Sequence, residues 1–180
     1  VMLEVGAFHP SWGDIHLGPE NAVAATMRKI KGAYSCTVLT PNMLLGFRDP
    51  YGIRPLVAGV LHDGGYMLAS ESCAFAPVDG EVTHEVDAGE MVIIDVKGMR
   101  FAQGAPAPRR AMCMFEFIYF ARPDSEMYET ELYSARERMG AELAREHPVD
   151  ADLVIPVPDS GIPAAIGYVA LCGFDRVSVI

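Results

Sequence analysis

The segment Ile155-Pro156-Val157-Pro158-Asp159-Ser160-Gly161 sets an acid, a hydroxyl and a glycine between an apolar run and a helix-forming run. In an open parallel sheet, ligands bind beyond the carboxyl ends of strands. A loop there that runs into a helix offers unpaired backbone N–H groups to an anion. Gly161 lets the backbone approach such a ligand, and Ser160 adds a hydroxyl for phosphate or for a phosphate-bound Mg²⁺. The same residues also suit a plain helix cap by Asp159 or Ser160, and a pattern this short favours the cap on the residues alone. A second charged loop is Arg48-Asp49-Pro50-Tyr51-Gly52-Ile53-Arg54-Pro55-Leu56. Two arginines around one aspartate fit a charge-assisted network that fixes the loop, which is the favoured reading, and alternatively a site for an anionic substrate.

Other reactive residues are less suggestive. Cys36, Cys73, Cys113 and Cys172 are scattered and form no disulfide framework, so they read as small buried hydrophobes in a reducing, cytoplasmic compartment. The five histidines have no spacing of a metal site or catalytic dyad. Phe115-Glu116-Phe117-Ile118-Tyr119-Phe120 packs four aromatics into six positions. That is expected to be core, at a domain interface, with Tyr119 and the following Arg122 among the interdomain residues. The 24 acidic residues outnumber 14 Lys and Arg, and no long basic run occurs, which speaks against nucleic-acid binding. The longest apolar stretch, near Ile162–Cys172, is far short of a membrane span.

The elements that position these residues follow from periodicity. Pro19–Lys31 reads as a helix stopped by Gly32, with Val23, Met27 and Ile30 on one face. The period then changes to two. Ala33–Thr40, Met43–Arg48, Leu56–Leu61, Tyr66–Ser70, Val82–Val86 and Met91–Asp95 read as strands joined by tight turns, hence a largely antiparallel sheet. Ser70 is expected to cap a short helix over Ser72–Ala76. Ala102–Arg110, rich in Ala, Pro and Gly, reads as a linker. Beyond it come an extended Met112–Ala121 and a helix Glu129–His147 with Leu132, Met139 and Leu143 near one face. A strand Asp152–Val157, the loop, a helix Ile162–Leu171 and a strand Val177–Ile180 complete the start of an α/β domain.

The order of these segments resembles one family. The Arg48–Leu56 loop is followed by Ala69-Ser70-Glu71-Ser72-Cys73-Ala74, then Ala88-Gly89-Glu90, then Cys113–Ser125. Ser134-Ala135-Arg136 with Met139-Gly140 and the Ile155–Gly161 loop come last. From about Glu20 onward the chain resembles the glutamine phosphoribosylpyrophosphate amidotransferases. The first motif is shared with other glutamine amidotransferases; the Cys113–Ser125 segment followed by the phosphoribosyltransferase-like loop is more specific.

The resemblance implies an α+β N-terminal-nucleophile glutaminase, present as its C-terminal half over residues 1–110. It implies the start of an α/β type I phosphoribosyltransferase over 111–180. It further implies glutamine and phosphoribosylpyrophosphate as substrates, Mg²⁺ at Ser160, and Asp159 and Gly161 shaping the same loop. Cys113 matches a cysteine that ligates a [4Fe–4S] cluster in one branch of the family. A homo-oligomer, a tetramer in the family, is expected, without nucleic acid or membrane. The family's nucleophile is a cysteine at the mature N-terminus, where this sequence has Val1. Its glutamine-binding segments and its paired-aspartate phosphoribosyl loop have no match here. The expectation is therefore an internal fragment with neither catalytic centre complete. Two alternatives remain: another amidotransferase such as asparagine synthetase, or a non-catalytic protein that keeps the scaffold.

Overall fold

A computed structural model of the chain describes residues 18–172. The expected strand Val177–Ile180 lies outside the described residues. The chain divides into two compact units, one up to Met112 and one from Cys113.

In the first unit, helix α1 (Pro19–Met27) precedes seven strands: β1 (Ser35–Thr40), β2 (Met43–Arg48), β3 (Val57–Leu61), β4 (Tyr66–Ala69), β5 (Gly80–Glu85), β6 (Glu90–Asp95) and β7 (Gly98–Gln103). They form two antiparallel sheets, in the orders β1-β2-β6-β7 and β4-β3-β5. Alternation along β2 and β6 sorts their side chains onto two faces. Leu45, Phe47, Met91 and Ile93 meet Val23 and Met27 of α1. Val92 and Ile94 face the other way and pack with Leu56, Ala58, Val86 and Leu68. The four-stranded sheet thus lies between a helix and a second sheet. Gly46 helps close this stack, because a side chain there would collide with Leu68.

Several expectations change. The first helix ends at Met27 rather than Lys31. The Tyr34 hydroxyl donates to the Met27 carbonyl, and the Lys29 and Ile30 amides both fold back on the Thr26 carbonyl. Strand β7 falls partly in the stretch read as linker. It is an edge strand whose Arg100, Phe101 and Gln103 are exposed, so its sequence shows no clean alternation. Ser70 caps nothing: Glu71 stands at the start of a 3₁₀ turn over Ser72–Ala74, without a side-chain cap bond.

In the second unit, Glu116–Phe120 is a turn of π-helix rather than an extended strand. A two-residue hairpin follows, β8 (Glu126–Met127) with β9 (Thr130–Glu131), turned by Tyr128 and Glu129 at positive φ. Helix α2 (Leu132–Glu146) packs on α3 (Gly161–Cys172). The buried residues of α2 are Leu132, Ala135, Arg136, Gly140 and Ala144, whereas Met139 and Leu143 are exposed. Small residues explain the choice. A side chain at Gly140 would run into the Ala164 carbonyl, and one at Gly167 into the Glu137 carbonyl, so the two backbones touch. The segment 152–157 is not a regular strand; it contributes a single bridge residue, Val154.

Candidate functional site

The Arg48–Leu56 loop is built around two buried charges that serve backbone groups of opposite polarity. Asp49 has no exposed surface. Its carboxylate accepts from the amides of Tyr51 at 2.9 Å, Ile53 at 2.9 Å, Arg54 at 3.1 Å and Tyr34 at 3.4 Å. The Arg48 guanidinium does the complementary task. It donates to the carbonyls of Arg54 at 2.7 Å, Val86 at 2.5 Å and Gly52 at 3.0 Å, and approaches Glu85 at 3.5 Å. Charge-assisted bonds of this kind are about twice as strong as neutral ones. Gly52 closes the loop at φ +63°, with its amide on the Asp49 carbonyl. Arg54 takes part through its backbone, and its side chain lies at the surface. This geometry shapes a loop; it does not aim both arginines at a shared ligand.

In the second unit, a buried arginine plays a similar part. Arg136 on α2 donates to the carbonyls of Phe117 at 2.7 Å, Ala121 at 2.6 Å and Glu116 at 3.3 Å. It therefore gathers the acceptors of the π-turn from one side. Arg136 stands in the Ser134-Ala135-Arg136 motif, which by itself implies no role for it. Its signal was spacing: Leu132, Arg136, Gly140 and Ala144 recur every four residues along one helix face. The turn presents its aromatics outward. Phe115, Tyr119 and Phe120 are all more than half exposed, so only Phe117 fits the expectation of core, stacked near Tyr128 and packed with Met127 and Leu132. Arg122 forms an exposed two-bonded pair with Asp124, at 3.0 and 2.8 Å.

The Pro158–Ser160 turn leads directly into α3. Asp159 is exposed, and Ser160 and Gly161 are partly so. The Gly161 amide is already spent on the Val157 carbonyl at 3.1 Å, and the Ile162 amide on the Asp159 carbonyl at 3.3 Å. Among the described residues, no hydrogen bond uses the side chain of Asp159 or Ser160.

All four cysteines are free thiols and partly exposed, not buried as expected. Cys36 sits on the edge strand β1, where burial still pushes its thiol upward. No group of three His, Cys, Asp or Glu among the described residues is placed to hold a metal ion. Among the described residues, no helix is long and apolar enough to cross a membrane.

No family model matches the chain. Curated proteins do. It is 48% identical over 150 residues to the amidophosphoribosyltransferase of Synechococcus elongatus, covering 82% of this chain and 30% of that protein. Identity to the Synechocystis enzyme of the same name is 49% over 151 residues, 83% of this chain and 30% of that protein. The Archaeoglobus fulgidus protein gives 47% over 148 residues, 82% and 32%. Among solved structures, glutamine phosphoribosylpyrophosphate amidotransferase from B. subtilis, complexed with ADP and GMP, superimposes with a TM-score of 0.86. That match is 38% identical and covers 93% of this chain and 36% of the other. This chain is a relative of the amidophosphoribosyltransferases. It spans about 30% of the length of the curated relatives named above. The match to the amidophosphoribosyltransferase structure takes in the antiparallel sheets and the helices alike, since it covers nearly the whole chain.

The charge at Asp49 has a spectroscopic reporter. Tyr34 has its phenol pushed up to about 12, first by burial, then by the Asp49 carboxylate and by Cys36. A raised folded value means the neutral phenol is favoured in the fold. Its contribution to stability is complete below pH of about 10, the ordinary tyrosine value, and is lost as pH rises through 12. Ultraviolet titration of wild type minus Tyr34→Phe should show one phenol ionising near pH 12. A difference curve centred at the ordinary tyrosine value would contradict this environment.

Proposed function

We propose that this chain is an internal stretch of an amidophosphoribosyltransferase, acting in the first step of de novo purine biosynthesis. In that reaction, ammonia released from glutamine displaces pyrophosphate from phosphoribosylpyrophosphate and gives 5-phosphoribosylamine. The observation that carries the reading is 48% identity over 150 residues, a span longer than either compact unit and therefore drawn from both. In this reading, residues 1–110 are the C-terminal part of a glutaminase domain of the N-terminal-nucleophile class. Residues 111–180 open a type I phosphoribosyltransferase domain. The catalytic residues of both centres lie elsewhere in the enzyme, which works as a cytoplasmic homo-oligomer.

Within this stretch, the Pro158–Gly161 turn stands nearest the transfer chemistry. As the bond from the anomeric carbon to pyrophosphate breaks, negative charge gathers on the leaving oxygens. The amides of Asp159 and Ser160, the N-terminal end of α3 and the Ser160 hydroxyl can meet that charge. The Asp159 carboxylate and Ser160 hydroxyl are oxygen donors of the kind Mg²⁺ prefers, so the turn fits the ion. Bound there with the pyrophosphate, Mg²⁺ would neutralise the leaving group. Ser160 orients that group, and Gly161 keeps the approach open.

Ser160→Ala should leave the fold intact. It should slow ammonia-dependent transfer by the full-length enzyme roughly ten- to a hundredfold, the worth of one charge-assisted hydrogen bond of about 1.5–3 kcal/mol. Glutamine hydrolysis without phosphoribosylpyrophosphate should hardly change. Transfer at the wild-type rate in low Mg²⁺ would leave Ser160 as part of the helix start alone.

Among the described residues no group of three His, Cys, Asp or Glu is placed to hold a metal ion, and a [4Fe–4S] cluster takes four thiolates. We propose Cys113 as one ligand of a set completed elsewhere in the enzyme. The full-length protein should then show the broad visible absorption of the cluster, and Cys113→Ser should lose it. An unchanged spectrum in that variant removes Cys113 from the set.

A further inference from the structure

The stretch expected to be a linker is tied down at both ends. At its start, the amides of Gly104 and Ala105 donate to the Gly89 carbonyl at 2.9 and 3.1 Å. Gln103 bridges the Ala88 carbonyl at 3.0 Å and that of Ala105 at 2.6 Å. Ala105 is buried in the core against α1, and a side chain at Gly104 would collide with Met27. At its far end, the Ala111 amide donates to the Tyr51 carbonyl at 2.8 Å, and Arg110 pairs with Asp87. Between these anchors, residues 106–110 form an exposed arch stiffened by Pro106 and Pro108.

Both anchors lead back to Asp49. Its carboxylate holds the amide of Tyr51, the residue whose carbonyl receives Ala111. Its backbone carbonyl receives the Gly89 amide at 2.9 Å, which fixes the turn that receives Gly104 and Ala105. Gly89 sits at φ +70°, and a side chain there would strike the Ala105 carbonyl. The loop 48–56 and the turn 87–89 are thus one surface with the strap 103–111 laid across it.

We propose that the Arg48–Leu56 loop serves as a clamp on this strap, setting where the chain leaves the first unit, and that the clamp couples glutamine hydrolysis to transfer. The coupling half of this statement rests on the function proposed above; the clamp half rests on the hydrogen bonds alone. A flexible tether would let the exit point wander over several ångströms. A strap pinned at Tyr51 and Gly89 holds it in place within the first unit. The sequence motif thereby gains a mechanical duty besides its own folding.

The test uses the full-length enzyme, with Gly89→Ala and the gentler pair Asp87→Asn and Arg110→Gln. Trypsin cleavage after Arg109 and hydrogen exchange at the Ala111 amide report the clamp. The ratio of glutamine-dependent to ammonia-dependent synthesis reports the coupling. In Gly89→Ala, cleavage and exchange should rise about tenfold, as for loss of roughly one net hydrogen bond. The synthesis ratio should fall several-fold, while hydrolysis alone and ammonia-dependent synthesis stay near wild type. The surface pair should shift all readouts the same way by less, and it serves if Gly89→Ala fails to fold. Rapid cleavage after Arg109 already in wild type would overturn the clamp. Faster cleavage with an unchanged ratio would overturn the coupling. Wild type that makes no product from ammonia would instead sink the proposed function and with it the coupling, and cleavage and exchange alone then decide the clamp.

Discussion

A single carboxylate with no access to water organises the first unit. Burying a charge costs several kcal/mol unless hydrogen bonds replace its hydration. Asp49 meets that demand with four backbone amides drawn from Tyr34, Tyr51, Ile53 and Arg54. Three of those amides, of Tyr51, Ile53 and Arg54, belong to a loop between strands of different sheets, β2 and β3, so the carboxylate fixes the crossing from one sheet to the other. Arg48 then supplies a positive charge to the carbonyls that the same folding leaves unpaired. Neither charge needs the other as a partner. Each replaces water for a set of backbone dipoles, and this explains why a run so rich in Pro and Gly holds one shape.

The second unit solves a related problem with Arg136. A turn of π-helix leaves carbonyls poorly served by their own ladder. The guanidinium collects three of them from inside, and the outer side is left for Tyr119, Phe120 and Phe115. Arg136 is held in turn by α2, which touches α3 backbone to backbone through Gly140 and Gly167. The turn at Asp159–Gly161 begins the second of these helices. The two regions of the unit that resemble functional motifs are therefore mounted on one helix pair.

Much of this was readable in residue order, and the exceptions have physical reasons. Strands β2 and β6 are legible because alternate residues on them carry the core, so period two is written in Leu45, Phe47, Met91 and Ile93. Strand β7 was missed because an edge strand needs no apolar face. The buried face of α2 was misread because Arg136 and Gly140 stand where large apolar residues were sought, while Met139 and Leu143 are exposed. The aromatic run reads in sequence as an extended core segment, because residue order does not show that an arginine 19 residues away gathers its carbonyls. At Arg48 and Asp49 the residue types announced a charge-assisted network. Only the structure shows that its partners are backbone groups, which leave no trace in side-chain identity.

The dependence on Asp49 is tested most directly by Asp49→Ala, following exchange of the Tyr51, Ile53 and Arg54 amides together with unfolding in denaturant. The account expects all three amides to lose protection together and stability to fall by about 3–5 kcal/mol, the usual cost of stripping a partner from a buried charged network. Unchanged protection at Ile53 and Arg54, with a loss below about 1 kcal/mol, would mean that the loop is held by something other than this carboxylate.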